Sequence, residues 1–224
     1  MSTDLWGDKR QGQADYLRGW LADARAANEE RPHTWDRLSS TTTGKLHPVE
    51  VFRVLGPMVA RDPATILICD GGEFAQWGQC LLKAPRRMIN SVTGAIGAGL
   101  PFALAARMHD AHAPIFAVMG DGTFGFHMAE IETAVRHMLP FVAIVGNDAC
   151  WNAESQLQRR HYGENRMHGC ELLPARYDAW ASALGGHGEQ VTAAHELGSA
   201  IAMAIASGRP AVINVMTERL LPRF

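Results

Sequence analysis

The feature that most constrains this chain is a set of four short, almost wholly apolar runs separated by helical patterns. They are residues 64–69 (ATILIC), 114–119 (PIFAVM), 141–146 (FVAIVG) and 211–216 (AVINVM). A strand with one wet face alternates apolar and polar residues, whereas a run that is apolar throughout is covered on both faces. Between the runs the spacing turns helical: residues 47–61 set Val51, Val54, Leu55 and Met58 on one side. Residues 73–82, 97–109, 123–138, 177–184 and 193–207 follow the same period, with a short strand at 87–90 and a long polar stretch over 152–174. Buried strands alternating with helices predict an α/β fold, a doubly wound, mostly parallel sheet with helices on both faces.

Residues 1–45 stand apart from this alternation. Leu17, Trp20, Leu21 and Ala24 fall at helical spacing within 13–30, Pro32 lies just beyond, and 39–45 (SSTTTGK) is a polar linker. The expected organisation is an N-terminal helical arm and linker over 1–45, packing on the body or on a neighbour, and one domain over 46–224. The 21 basic and 23 acidic residues leave no positive excess to neutralise a nucleic-acid backbone, so no nucleic-acid partner is expected. The apolar runs are about six residues long against the roughly 20 of a membrane span, so no membrane partner is expected either. The opening residues are polar and charged rather than a signal sequence. Cys69, Cys80, Cys150 and Cys170 form no CxxC pair, and scattered thiols fit a cytoplasmic protein.

Doubly wound sheets bind ligands outside the carboxyl ends of their strands, where strand order reverses. Glycine and oxygen ligands stand at those positions here: Asp70-Gly71-Gly72 after the first run, Gly120-Asp121-Gly122 after the second, Asn147-Asp148 after the third. Asp121 between glycines reads either as the cap of the next helix or as a metal ligand beside phosphate-binding backbone N–H groups. The 27 positions from Asp121 to Asp148 span one helix and one strand, so two strand ends offer hard oxygen ligands to one crevice. That donor set suits Mg²⁺ carrying a diphosphate.

The GDG turn, a helix, a strand and then Asn147-Asp148 resemble the metal–diphosphate motif of thiamine diphosphate (thiamine pyrophosphate) enzymes. The text GDGTFGFHMAEIETAVRHMLPFVAIVGND is similar to their acetohydroxyacid synthase, oxalyl-CoA decarboxylase and 2-hydroxyacyl-CoA lyase branch. The resemblance covers about 46–215, the diphosphate-binding C-terminal domain of such enzymes. It implies thiamine diphosphate and Mg²⁺ as cofactors, with Asp121 as the first metal ligand, and Gly120, Gly122 and Thr123 against the diphosphate. Asp148 takes the second ligand slot, where the family has asparagine; Asn147 is the alternative, at the cost of a one-residue shift. The backbone carbonyl of Cys150 falls at the third protein ligand. Residues 93–101 (TGAIGAGLP) match a second family stretch, which implies Ile96 as an apolar wedge under the cofactor, Gly94 as a carbonyl acceptor for its pyrimidine, and Ala95 between them. Residues 70–77 (DGGEFAQW) match a third, placing Gly72, Glu73 and Phe74 beside the diphosphate, with the family's Gln-His replaced by Glu-Phe.

The resemblance also implies what lies elsewhere. The activating glutamate and the pyrimidine-binding domain of such enzymes have no counterpart before Leu46, so a separate pyrimidine-binding subunit is expected, as an α2β2 heterotetramer, and no catalytic residue is assigned in this chain. Flavin, where the family has it, sits in a central domain, so no FAD is expected here. The implied activity is C–C bond cleavage or formation next to a carbonyl: 2-oxo acid decarboxylation, acetolactate synthase-like carboligation or 2-hydroxyacyl-CoA cleavage. A subunit of a split 2-oxo acid oxidoreductase and a non-catalytic scaffold are the alternatives. Arg159, Arg160, His161 and Arg166 read as a solvated loop, or as a lid over a substrate carboxylate or phosphate. His127 falls near the start of the helix after GDG, where it could face the crevice, and His137 falls on the surface.

Overall fold

The computed structural model describes residues 5–29, 33–90 and 93–220, which divide into two units after Leu38. The first holds helix α1 (Leu5–Glu29) and a 3-10 turn (His33–Arg37). Tyr16, Leu17, Trp20 and Leu21 of α1 are exposed.

In the second unit the apolar runs become strands and the periodic segments helices. In chain order these are α2 (Pro48–Ala60), β1 (Ile66–Asp70), α3 (Glu73–Leu81), β2 (Arg86–Ile89), α4 (Gly99–His109), β3 (Ile115–Gly120), α5 (Asp121–His127) and α6 (Glu130–Arg136). There follow β4 (Val142–Asn147), α7 (Asn152–Tyr162), α8 (Tyr177–Ala183), β5 (His187–Val191), α9 (Ala194–Ala206) and β6 (Ala211–Met216). All pairings are parallel, in the order β2-β1-β3-β4-β6-β5, the doubly wound α/β sheet that the buried runs predict.

Alternation along each strand sends side chains to opposite faces. Leu67, Cys69, Phe116, Val118, Ile144 and Ile213 meet α2, α3 and α9 on one side. Ile66, Ile68, Ala117, Met119, Ala143 and Val145 meet α4, α5, α6 and α8 on the other. Each fully buried Leu, Ile or Val contributes about 1.5–3 kcal/mol, and the central strands supply most of them. The start of α2 is fixed by a capping box: His47 Nδ1 accepts from Val49 N–H at 3.1 Å, and Glu50 accepts from His47 N–H at 2.9 Å.

Three elements differ from expectation. The helix predicted over 123–138 is two, joined at Met128 and Ala129, whose carbonyls accept from Ile131 and Glu132 in tightened i→i+3 bonds. The stretch read as polar loop contains helix α7, which buries only Asn152 and Ser155 and so shows no apolar stripe. Strand β5 (HGEQV) is an edge strand with little apolar content, paired through His187–Val191 to Ala211–Val215. No described helix is long and apolar enough to cross a membrane.

Candidate functional site

Strand order reverses between β1 and β3, since β2 lies on one side of β1 and β3 on the other. At the carboxyl ends of these strands and β4 opens a cleft of about 280 Å³. Gly72, Glu73, Phe74, Gly94, Ile96, Gly120, Asp121, Gly122, Thr123, Asp148 and Cys150 all line it, together with Trp151, Asn152, Ala153 and Leu157. The three motifs therefore meet in one place. Ala95 and Asn147 are not in the lining.

Asp121 is the first residue of α5 and is buried. Its Oδ1 accepts from Gly122 N–H at 2.8 Å, while its Oδ2 has no hydrogen-bond partner. The backbone N–H groups of Ala149 and Cys150 lie near enough to favour the ionised form of this carboxylate. Between Asp148 and Cys150, Ala149 adopts φ +56°, a left-handed conformation that a residue with a side chain rarely takes. Burial pushes the Asp121 carboxyl up to about 6 against the pull of these N–H groups. Asp148 is pushed further, to about 8, by burial and then by the negative charges of Asp121 and Glu73. The neighbouring negative charges thus disfavour the ionised form of Asp148.

Asn147 is committed elsewhere. Its Nδ2 donates to the Ala175 carbonyl at 2.9 Å and to Asn214 Oδ1 at 3.0 Å, and its Oδ1 accepts from Ala149 N–H at 3.3 Å. Asn214 in turn donates to Asp178, so a buried polar network ties the end of β4 to β6 and α8. Asp148, by contrast, lies in the lining.

Glycine brings the walls together. A Cβ on Gly71 would overlap the Thr123 hydroxyl, and one on Gly122 would come within 2.6 Å of the Trp151 ring. Phe74 fills the space over Gly146 and packs against Phe52 at 4.9 Å, so its ring belongs chiefly to the core. Glu73 also turns to a structural partner set: it accepts from Trp77 Nε1 at 3.1 Å and from Asn152 Nδ2. Burial raises its carboxyl as well.

The segment carrying Gly94 and Ile96 is anchored by Asp70, which the motif reading included without a role. Asp70 Oδ2 accepts from Gly97 N–H at 3.0 Å and from Gly99 N–H. His127 Nδ1 meets the Gly97 carbonyl at 2.7 Å, and Gly71 N–H donates to Asn90 Oδ1 at 3.1 Å. His127 is thus exposed but attached to this segment, and His137 is exposed. Trp151, Asn152 and Leu157 carry no sequence signal of their own, because α7, which starts just after Trp151, has no apolar stripe. The first turn of α7 lines the cleft; Arg159, Arg160 and Arg166 lie toward and beyond its far end, outside the lining, with Arg159 paired to Glu164. Ile96, Phe126, Trp151 and Leu157 leave an apolar rim, Phe126 being 57% exposed.

Comparison with known proteins agrees with this geometry. Residues 70–215 match the thiamine pyrophosphate enzyme, C-terminal TPP binding domain family. The chain is 36% identical over 177 residues to a probable acetolactate synthase of Mycobacterium bovis, covering 77% of this chain and 32% of that protein. It is 29% identical over 218 residues to 2-hydroxyacyl-CoA lyase 2 of Homo sapiens, covering 93% of this chain and 34% of that protein. Among solved structures, the thiamine diphosphate-dependent 4-hydroxybenzoylformate decarboxylase of Rhodococcus jostii superposes with a TM-score of 0.71 at 19% identity, covering 81% of this chain and 34% of that one. The chain spans about a third of the length of these relatives. With its three motifs converging on one cleft at the switch point, it belongs to the thiamine pyrophosphate enzyme family as a C-terminal TPP-binding domain.

Proposed function

We propose that this chain is the diphosphate- and Mg²⁺-binding component of a two-component thiamine diphosphate enzyme that cleaves or forms a C–C bond next to a carbonyl. The observation that carries the reading is Asp121: a buried carboxylate with one oxygen lacking any partner, beside a second carboxylate at Asp148. A scaffold that kept only the fold would gain nothing from such a group, since an unsatisfied buried oxygen costs about 1–3 kcal/mol. Among the described residues no three His, Cys, Asp or Glu side chains gather as a ready metal cage. Mg²⁺ would therefore take Asp121, Asp148 and the Cys150 carbonyl from the protein and complete its shell with diphosphate oxygens and water.

Gly72, Gly120, Gly122 and Thr123 would receive the diphosphate, and the N-terminal turn of α7 adds its positive end to the same wall. Glu73 and Phe74 would contribute backbone only, because their side chains are engaged with Trp77, Asn152 and the core. Ile96 would support the cofactor from below, and the Gly94 carbonyl would accept from its pyrimidine amino group. When bound, thiamine diphosphate supplies the carbanion chemistry that decarboxylation, carboligation and 2-hydroxyacyl cleavage share. The apolar rim of Ile96, Phe126, Trp151 and Leu157 would be covered by a pyrimidine-binding subunit, which brings the activating glutamate and most substrate contacts. Two copies of each subunit around a two-fold axis are the simplest closed assembly.

The test is reconstitution. Purified chain alone should turn over neither a 2-oxo acid nor a 2-hydroxyacyl compound, and adding a pyrimidine-binding polypeptide should restore the reaction. Turnover by the 224-residue chain alone would end the two-component reading.

A further inference from the structure

An aspartate at 148 gives this site one more negative charge than the asparagine of the family pattern, close to Asp121 and beside an anionic diphosphate. That charge calls for a cation, and among the described residues Arg219, from the segment after β6, acts on Asp148. Its Nη2 donates to the Ala149 carbonyl at 2.9 Å and reaches the Asp148 carbonyl at 3.5 Å. Its fork also meets Glu171, at 2.7 Å through Nη1 and 3.0 Å through Nη2. The Ala149 carbonyl accepts Leu172 N–H at 2.9 Å as well, and Trp151 N–H donates to the Cys170 carbonyl at 2.8 Å. The left-handed turn at Ala149, which follows Asp148, is thus held from outside by Arg219 and by the 170–172 segment.

A surface ion pair with Glu171 does not account for this placement. The Glu171 side chain is 74% exposed, so water screens that pair, whereas the Arg219 side chain is 32% exposed. One nitrogen of the guanidinium, Nη2, lies on the loop that carries Asp148.

We propose that Arg219 is a positioning residue for the metal loop: it fixes the Asp148 and Ala149 carbonyls and offsets the extra negative charge that Asp148 brings to the diphosphate site. The proposal rests on the assignment of Asp148 as a metal ligand. The two functions separate experimentally, because the loop contact is independent of the side chain at 148, whereas charge compensation is not.

The experiment is calorimetric titration of thiamine diphosphate at saturating Mg²⁺ into the purified chain, with thermal melting of each variant alongside. Arg219→Gln should weaken binding by about tenfold, as loss of one partly screened charge a few ångströms from an anionic ligand predicts. Arg219→Lys, which retains the charge without the fork, should lose less and also covers the case in which Arg219→Gln does not fold. Glu171→Gln should change binding less than about twofold. In the Asp148→Asn background, Arg219→Gln should cost less than a third of what it costs in the wild type. An equal loss in both backgrounds, or wild-type binding by Arg219→Gln, overturns the proposal. A wild-type chain that binds no thiamine diphosphate with Mg²⁺ overturns the functional reading first, and this inference with it.

Discussion

Asp70→Ala should loosen the segment that presents Gly94 and Ile96 without touching a cofactor contact. The wild-type carboxylate is fully buried and takes two backbone N–H groups on one oxygen, Gly97 at 3.0 Å and Gly99. Removing it strands two buried donors, each costing about 1–3 kcal/mol. The loss is partly offset, because Asp70 Oδ1 has no partner and its desolvation disappears with it. A net destabilisation of about 2–4 kcal/mol follows, toward the lower value if water enters the vacated space. Asp70→Asn keeps one acceptor oxygen and should cost about half as much. Urea denaturation gives the total, and hydrogen exchange at Gly97 and Gly99 locates it. A Asp70→Ala variant within about 0.5 kcal/mol of wild type, with unchanged exchange at those two amides, would refute the anchoring argument.

Asp121→Ala should abolish Mg²⁺-dependent retention of thiamine diphosphate, while Asp148→Asn should retain it; equal loss in both, read by calorimetry, would contradict the placement of Asp148 in the slot of the family's asparagine. Ile96→Ala should weaken cofactor binding by about 2 kcal/mol, the low end for a large-to-small change at a half-buried position, with little change in the melting temperature of the free chain. In metal-free protein Asp148 holds its proton up to about 8, against an ordinary value of 3.8, and Asp121 up to about 6. The folded chain thus binds protons that the unfolded chain has released between these values, so metal-free stability should fall as pH rises from about 4 to 8 and level off above. Asp148→Asn should flatten the upper part of that slope in urea titrations at stepped pH; a slope of the opposite sign would contradict the assigned burial.

How far the sequence disclosed this molecule depended on whether a segment's physics is local. ATILIC, PIFAVM and FVAIVG read as buried strands because central strands of a parallel sheet are apolar on both faces. HGEQV did not, because β5 sits at the sheet edge, where only Val191 is buried. Helix α7 escaped for a related reason: its inner face is Asn152 and Ser155, so polarity conceals a packed surface. The site divides the same way. Asp121, Asp148, Gly94 and Ile96 were legible as motif positions following strands. The engagement of Glu73 with Asn152 was not, since its partner comes from the unread helix, 79 residues away. Arg219 lies 70 residues from the carbonyl it holds, in a stretch with no motif of its own. Asp70 shows both sides of the limit: its place in DGGEFAQW is visible, but the dependence of two backbone donors on it appears only once Gly97 and Gly99 fold back over β1.

The most direct test of the central claim is calorimetric titration of thiamine diphosphate into the purified chain in three settings: with Mg²⁺, with a chelator, and with thiamine replacing the diphosphate. The account predicts binding in the first setting alone, because Asp121 and Asp148 need the cation and the cation needs the diphosphate. Equal binding with the chelator, equal binding of thiamine, or no binding of thiamine diphosphate with Mg²⁺ would contradict it.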